Sequence, residues 1–439
     1  MKRILMVLAL AAAFVSANAQ VKSVSAAEAA VAKAKADVDN PKKASKFATW
    51  AKYGQTLLDA YNAPAGNGWL NASKQELQLV MGNDKPIKVE QVQLPSGEFE
   101  KEVYATKNYY FSNGILQFIE ITKPIFADAL SQSADAYAKA AELDVKGSKA
   151  KDFRAALSTI SGKLNEEAYT SYYLGDYATA SKNFGEAARV AAIAPNSQCD
   201  SNAVYNAGFT AWLAGDLARA EEYLLRSRDI GYLMDGDVYA KLSDVAEKNG
   251  KTEASLAYLE EGFQKFPQNQ GILVGLINYY LNNNNGNTDR LFELLGEAKK
   301  NEPNNASLYY VEGNICSQLG RIDDAVVAYD QCAQIDPSYA FGYIGKGQMF
   351  YNEAVKYSTE AQDEPDYKKY LALVDKSDAA LEKCVEPFEK AYNLLSDQST
   401  KVAVAEYLKF VCYRLSAKDS SFEEKYKMYD DIVKAGQAQ

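Results

Sequence analysis

The sequence predicts an all-α chain of repeated helical hairpins, and three observations predict it. Gly215, Gly250, Gly286 and Gly320 are separated by 35, 36 and 34 residues. Pro267, Pro303 and Pro337 follow with spacings of 36 and 34, each 17 residues after one of those glycines. On both sides of each glycine, apolar residues recur at helical spacing. A period in this range marks stacked supersecondary units, each able to bury its apolar face only against its neighbours.

One unit, residues 309–337, shows the physics: YYVEGNICSQLGRIDDAVVAYDQCAQIDP. Tyr309, Gly313 and Cys316 give one side of a first helix, and Gly320 breaks it. Arg321, Ile322 and Asp323 make the turn. Ala325, Ala328, Tyr329, Cys332 and Ala333 then form the apolar side of a second helix. Asp336-Pro337 stops that helix, because proline cannot continue the hydrogen-bond ladder. Gly313 and Ala325 fall where two antiparallel helices cross most closely, and Tyr329 fills the wider gap beside Tyr309.

This pattern resembles the tetratricopeptide repeat (TPR) family, on Gly313, Gly320, Ala325, Tyr329 and Pro337; Cys332 stands where alanine is usual. The same signature runs through 161–195 (Gly175, Asp176, Ala180, Phe184, Ala187), 201–232 (Gly208, Gly215, Ala220, Leu224), 236–267 and 272–303. The resemblance implies a right-handed superhelical solenoid of about seven to eight helix-turn-helix repeats, spanning 20–439 without an internal linker. Two units are interrupted. Trp50, Tyr53, Gly54 and Leu57 fit a first helix whose partner residues, Ser133, Tyr137 and Ala140, come 67 residues late, giving a unit at 47–145. Tyr343, Gly347 and Phe350 begin a unit at 340–395 whose Cys384, Phe388 and Ala391 come about 25 residues late. A degenerate pair at 402–437 closes the series, and residues 26–39 form a capping helix ahead of it.

Residues 62–124 depart from the repeat. IKVEQVQL (87–94) alternates, Pro95-Ser96-Gly97 turns, and Asn113-Gly114 sits between two β-rich runs. The expectation is three or four antiparallel strands inside the first repeat, with a short helix near 73–81. So small a sheet needs a covered face and is expected to pack on the helices.

Lys2 and Arg3, the apolar run 4–15 and Ala17-Asn18-Ala19 read as a signal peptide, 1–19, cleaved to leave Gln20 first. No cysteine precedes Cys199, which excludes lipid attachment at that start. The Asn18-Ala19-Gln20 junction resembles exported proteins of Bacteroidota. The expected location is the periplasm, with secretion or outer-membrane association as the alternative.

The net charge is −10, and removing Lys2 and Arg3 makes it −12, a balance that opposes binding to nucleic acid or anionic lipid. The chain has no histidine, which excludes Ser-His-Asp and Cys-His catalysis and His-bound zinc. There is no glycine-rich phosphate loop. Paired acids such as Glu221-Glu222, Glu260-Glu261 and Asp323-Asp324 are sequence neighbours, so they diverge around a helix. Asn282 to Asn287 read as an asparagine-rich turn. Neither a metal nor a cofactor is expected.

Of the five cysteines, Cys316 and Cys332 lie at heights about 15 Å apart on an antiparallel pair. That exceeds disulfide reach, and buried filler is the expected role for cysteines here. The resemblance implies an inner groove lined by first-helix positions, which here hold Tyr169, Tyr172, Tyr205, Phe209, Trp212, Tyr280, Tyr310 and Asn314. Rigid aromatics suit an extended or helical peptide. The family's basic clamp for a C-terminal carboxylate is not expected, since its positions hold Tyr205, Phe209 and Lys241. The expected function is a non-catalytic exported scaffold binding another protein or peptide in the cell envelope, without a transmembrane segment and with peripheral association with outer-membrane proteins as a further expectation. A solute- or glycan-capture accessory is the alternative.

Overall fold

The computed structural model describes residues 21–82, 84–283 and 288–437. The expected signal peptide and the later part of the asparagine-rich turn lie outside them. Two compact units divide between Tyr232 and Leu233.

The first unit opens with α1 (Val24–Val38), started by the Ser23 side chain, which accepts from Ala26 N. Ala27, Val31, Ala34 and Val38 lie on one face of α1 and are buried against α3 (Phe47–Ala65), with the short α2 (Pro41–Ala44) between. The partner of α3 is α5 (Ala129–Leu143), reached only after the insertion. Two uninterrupted hairpins follow: α6 (Ala150–Leu174) with α7 (Tyr177–Ala192), and α8 (Ser201–Ala214) with α9 (Leu217–Asp229). Their turns share one chemistry. Gly175 and Gly215 adopt φ of 84° and 76°, the left-handed geometry that ends a helix. The next residue, Asp176 or Asp216, caps the following helix through Thr179 N or Arg219 N.

The insertion contains α4 (Lys74–Met81), with a capping box between Ser73 and Glu76, and strands β1 (Lys88–Leu94), β2 (Gly97–Val103), β3 (Lys107–Ser112) and β4 (Ile115–Ile121). The strands form an antiparallel meander in sequence order. Asn113 and Gly114 both have positive φ, 50° and 75°, as a two-residue hairpin requires. Alternation along β3 sends Tyr109 and Phe111 to one face, where they pack with Leu77, and Tyr110 to the other, where it packs with Phe99, Phe118, Tyr173 and Leu174. Both faces are therefore covered, one by α4 and one by the end of α6.

The second unit begins with a 3₁₀ turn (Met234–Gly236) and continues as helical hairpins. These are α10 (Asp237–Lys248) with α11 (Thr252–Lys265), α12 (Gln270–Asn283) with α13 (Asp289–Asn301), and α14 (Ala306–Gln318) with α15 (Ile322–Ile335). Then come α16 (Ala340–Gln362) with α17 (Tyr367–Leu394), and α18 (Gln398–Ser416) with α19 (Ser421–Gln437). The extra residues expected near 340–395 are accommodated by lengthening α16 and α17 to 23 and 28 residues, not by a loop.

One packing contact exposes the interruptions. A Cβ on Gly208 would stand 2.9 Å from Leu224, sixteen residues on. The same contact joins Gly54 to Tyr137 at 2.8 Å and Gly347 to Phe388 at 2.6 Å, at separations longer by 67 and 25. The chain detours between the two helices and the crossing is preserved. Buried serines add polar ties between helices: Ser133 donates to Gly54 O, Ser161 to Ala187 O, Ser181 to Ala207 O and Ser377 to Ala354 O. Each is worth about 0.5–1.5 kcal/mol.

Candidate functional site: a basic cleft in the first unit

The eight aromatic and amide positions named from the sequence divide between the two units. In the first, Tyr205 stacks on Phe209 (centroids 5.9 Å apart, 5° between planes), and Phe209 stacks on Trp212 (6.2 Å, 20°). Tyr172 approaches Phe209 at 6.3 Å, and the Tyr169 hydroxyl accepts from Asn202 and Asn206 at 3.2 Å each. These five rings do converge, but Tyr205 and Phe209 are only 1% and 8% exposed. The reason lies in α8, where every residue from Ala203 to Ala211 is buried. A helix covered all round has no free groove face. In the second unit Tyr280 is buried and donates to Glu260, Tyr310 packs on Tyr329 and Tyr339, and Asn314 accepts from the Tyr329 hydroxyl. Tyr205, Phe209 and Tyr280 are thus core residues, while Tyr169, Tyr172, Trp212, Tyr310 and Asn314 keep partial exposure. Lys241, at a clamp position, is buried and paired with Asp237 at 2.6 Å.

A different concavity is present. A cleft of about 630 Å³ is lined by Tyr61 of α3, the β4–α5 connection, Glu167 of α6, and side chains of α7 and α9. Ile121, Pro124, Phe126, Leu130 and Leu164 make part of its lining apolar. Lys182 and Arg189 from α7, with Arg219 and Arg226 from α9, supply its cations. Both pairs are seven residues apart, two helical turns, so each pair shares a face. That spacing is present in the sequence, but on second helices and not on the first-helix positions that line the expected groove.

The four cations are held differently. Arg189 is clamped by Glu186 (Nη2 to Oε1, 2.6 Å; Nε to Oε2, 2.8 Å) and by Asp135 at 3.0 Å. The Arg189 hydrogen bonds hold the Glu186 carboxyl below its usual range. Arg219 donates to Ser181 Oγ and O at 2.8 and 3.1 Å and stacks on Tyr223 at 4.7 Å. Gly185 makes room for this: a Cβ there would collide with the Arg219 guanidinium and stand 2.5 Å from Tyr223 Oη. Lys182 and Arg226 are exposed and form no ion pair among the described residues.

On the cleft's other side, burial pushes the Glu167 carboxyl up to about 7; a hydrogen bond from Tyr61 draws it down, and the Glu166 charge adds to the rise. Burial likewise raises the Tyr61 hydroxyl well above its normal range. Four cations face the carboxylates of Asp128, Glu167 and Glu186, of which Glu167 is near half-protonated at neutral pH. The lining is net positive within a chain of net charge −10.

Among the described residues no group of three or more cysteines, aspartates or glutamates is arranged to hold a metal, and no helix is long and apolar enough to cross a membrane. All five cysteines are free thiols; Cys199 is exposed and the other four are buried.

Comparison with known proteins follows this geometry. The tetratricopeptide repeat family model matches residues 306–339, the α14–α15 hairpin. A search of curated proteins finds no match. Among solved structures, the chain is similar to a TPR repeats protein from Bacteroides fragilis (19% identity, 62% of this chain and 99% of that one, TM-score 0.23). It is also similar to a tetratricopeptide repeat protein from Parabacteroides merdae (14%, 61% and 98%, TM-score 0.32). A third is YrrB, described as a TPR protein with an unusual peptide-binding site (16%, 62% and 99%, TM-score 0.22). Residues 306–339 thus match a tetratricopeptide repeat, and a hairpin with the same glycine-to-large-residue crossing recurs in both units.

Proposed function

We propose that this protein is an exported, non-catalytic scaffold of the cell envelope that binds another protein or an extended peptide, in assembly, secretion or envelope maintenance. The repeat fold suggests binding of this kind. The observation that carries the reading further is the cleft of the first unit, to which at least five separate elements contribute side chains. A surface assembled from several repeats reads a partner by shape and charge over a length of chain. Two of its cations, Arg189 and Arg219, project from helices and are held in place by neighbouring side chains.

Export rests on residues 2–19: a basic start, an apolar run and small residues before Gln20. The test joins both parts. The full precursor is expressed with a C-terminal tag in a diderm bacterium, the periplasmic fraction is isolated, and the bound material is crosslinked and mapped. The expected result is a mature chain beginning at Gln20, with one stoichiometric protein crosslinked to the helical hairpins. A cytoplasmic, uncleaved chain would overturn the location. Retention on glycan columns with no protein partner would overturn the scaffold role.

A further inference from the structure

The cleft's cations come from two positions on each of two helices. Seven residues along α7 or α9 is an axial rise of about 10.5 Å. Lys182 and Arg189 are separated by that rise, as are Arg219 and Arg226. In an extended peptide at about 3.3 Å per residue, side chains on one face recur every second residue, about 6.6 Å apart, so acidic side chains along that face can meet cations contributed by two helices.

Occupancy is uneven in a way that favours a ligand at one set of positions. Arg189 is already neutralised by Glu186 and Asp135. Arg219 is fixed by Ser181 and Tyr223, with hydroxyl, carbonyl and ring partners that leave its charge uncompensated. Lys182 and Arg226 extend from the same two helices and form no ion pair among the described residues, although the Lys182 charge reaches Glu186. Ile121 at the end of β4 and Pro124 and Phe126 in the connection after it form an apolar stretch, so the insertion completes the cleft.

Resting on the peptide-binding reading above, we propose that this cleft receives an acidic segment of a partner protein in extended conformation. Its carboxylates meet Lys182, Arg219 and Arg226, and its apolar side chains lie against the β4–α5 connection. The chain's overall negative charge makes this the place where an acidic partner is attracted and not repelled.

The probes are fluorescein-labelled hexaglutamate and hexaglutamine, followed by anisotropy with the mature chain. Hexaglutamate is expected to bind at least tenfold more tightly, and raising NaCl from 50 to 300 mM is expected to weaken it several-fold. The double charge reversal K182E/R226E breaks no side-chain hydrogen bond or ion pair among the described residues, should leave the circular dichroism spectrum unchanged, and is expected to cost at least tenfold in affinity. R219Q is expected to cost about fivefold. Equal binding of the two peptides, or unchanged affinity in K182E/R226E, would overturn the proposal. Displacement of hexaglutamate by 10 mM inorganic phosphate would also overturn it, by assigning the cleft to small anions. If K182E/R226E still captures the crosslinked envelope partner, the cleft assignment fails and the scaffold reading stands.

Discussion

Gly313 lies directly against the Tyr329 ring: a Cβ on residue 313 would stand 2.6 Å from Cε1, 2.7 Å from Cδ1 and 2.8 Å from Cζ. The ring has little room to retreat, because it is only 2% exposed and a Cβ added at Gly345, on another helix, would also stand 2.7 Å from its Cε1. Gly313→Ala is therefore expected to destabilise by about 1–3 kcal/mol through overpacking. Gly162, in α6 with nothing within 4 Å of its added Cβ, is the control. Gly162→Ala is expected to stabilise by about 0.5–1 kcal/mol, since alanine loses less backbone freedom in a helix. Urea unfolding followed by circular dichroism should give midpoint shifts of opposite sign, and equal shifts would refute the packing argument.

The inserted sheet is held by a stack of three rings. Tyr110 and Phe118 are 4.3 Å apart at 15°, and Phe118 and Tyr173 are 5.1 Å apart at 18°. Ser96 donates to Tyr173 O at 3.0 Å and Thr170 to Ile119 O at 3.3 Å, tying the sheet to α6. Phe118→Ala empties the middle of this stack and is expected to cost the sheet about 3–5 kcal/mol. Limited proteolysis should then nick residues 88–121 while the helical signal persists. A variant as resistant as the parent would show that the stack is not what anchors the sheet.

Much of this architecture was legible because the repeat imposes the same steric solution many times. Gly54 and Tyr137 could be matched across the insertion, as could Gly347 and Phe388, since each pair must meet at the helix crossing whatever lies between. The β insertion was readable from alternation and from Asn113-Gly114. The cleft was harder to read. Tyr205 and Phe209 carry the right chemistry for a groove, but α8 is enclosed on all sides, and enclosure depends on neighbours that periodicity alone does not supply. Lys182, Arg189, Arg219 and Arg226 look like ordinary solvated charges one helix at a time. They become a site only when α7 and α9 face the connection after β4.

The cysteines give a sharp chemical test. Burial pushes the Cys332 and Cys412 thiols to about 11 and Cys384 to about 12, and raises Cys316 as well. These four are inaccessible and almost wholly protonated at neutral pH, whereas Cys199 is exposed. Under native conditions at pH 7.5, iodoacetamide is expected to modify Cys199 alone, with the other four reacting after denaturation. Intact-mass spectrometry reads the result; a native mass increase of two or more adducts, or a disulfide in the reduced-versus-oxidised comparison, would contradict it.

Glu167 should make the first unit's stability fall with pH. Folded, its carboxyl keeps a proton up to about pH 7, chiefly because burial disfavours the charge. An exposed glutamate in the unfolded chain titrates near about 4.3. Between these limits the folded state binds more protons than the unfolded one, so stability declines as pH rises. The contribution is fully present below the unfolded value and lost as pH passes through the folded one. Glu167→Gln removes the titration, so the variant is expected to gain stability relative to the parent between pH 5 and pH 8. Tyr61→Phe removes the hydrogen bond that draws the carboxyl down, so the step should move to higher pH. Thermal melts of the three proteins at intervals across this range test the assignment, and parallel curves for the parent and Glu167→Gln would place the pH response elsewhere.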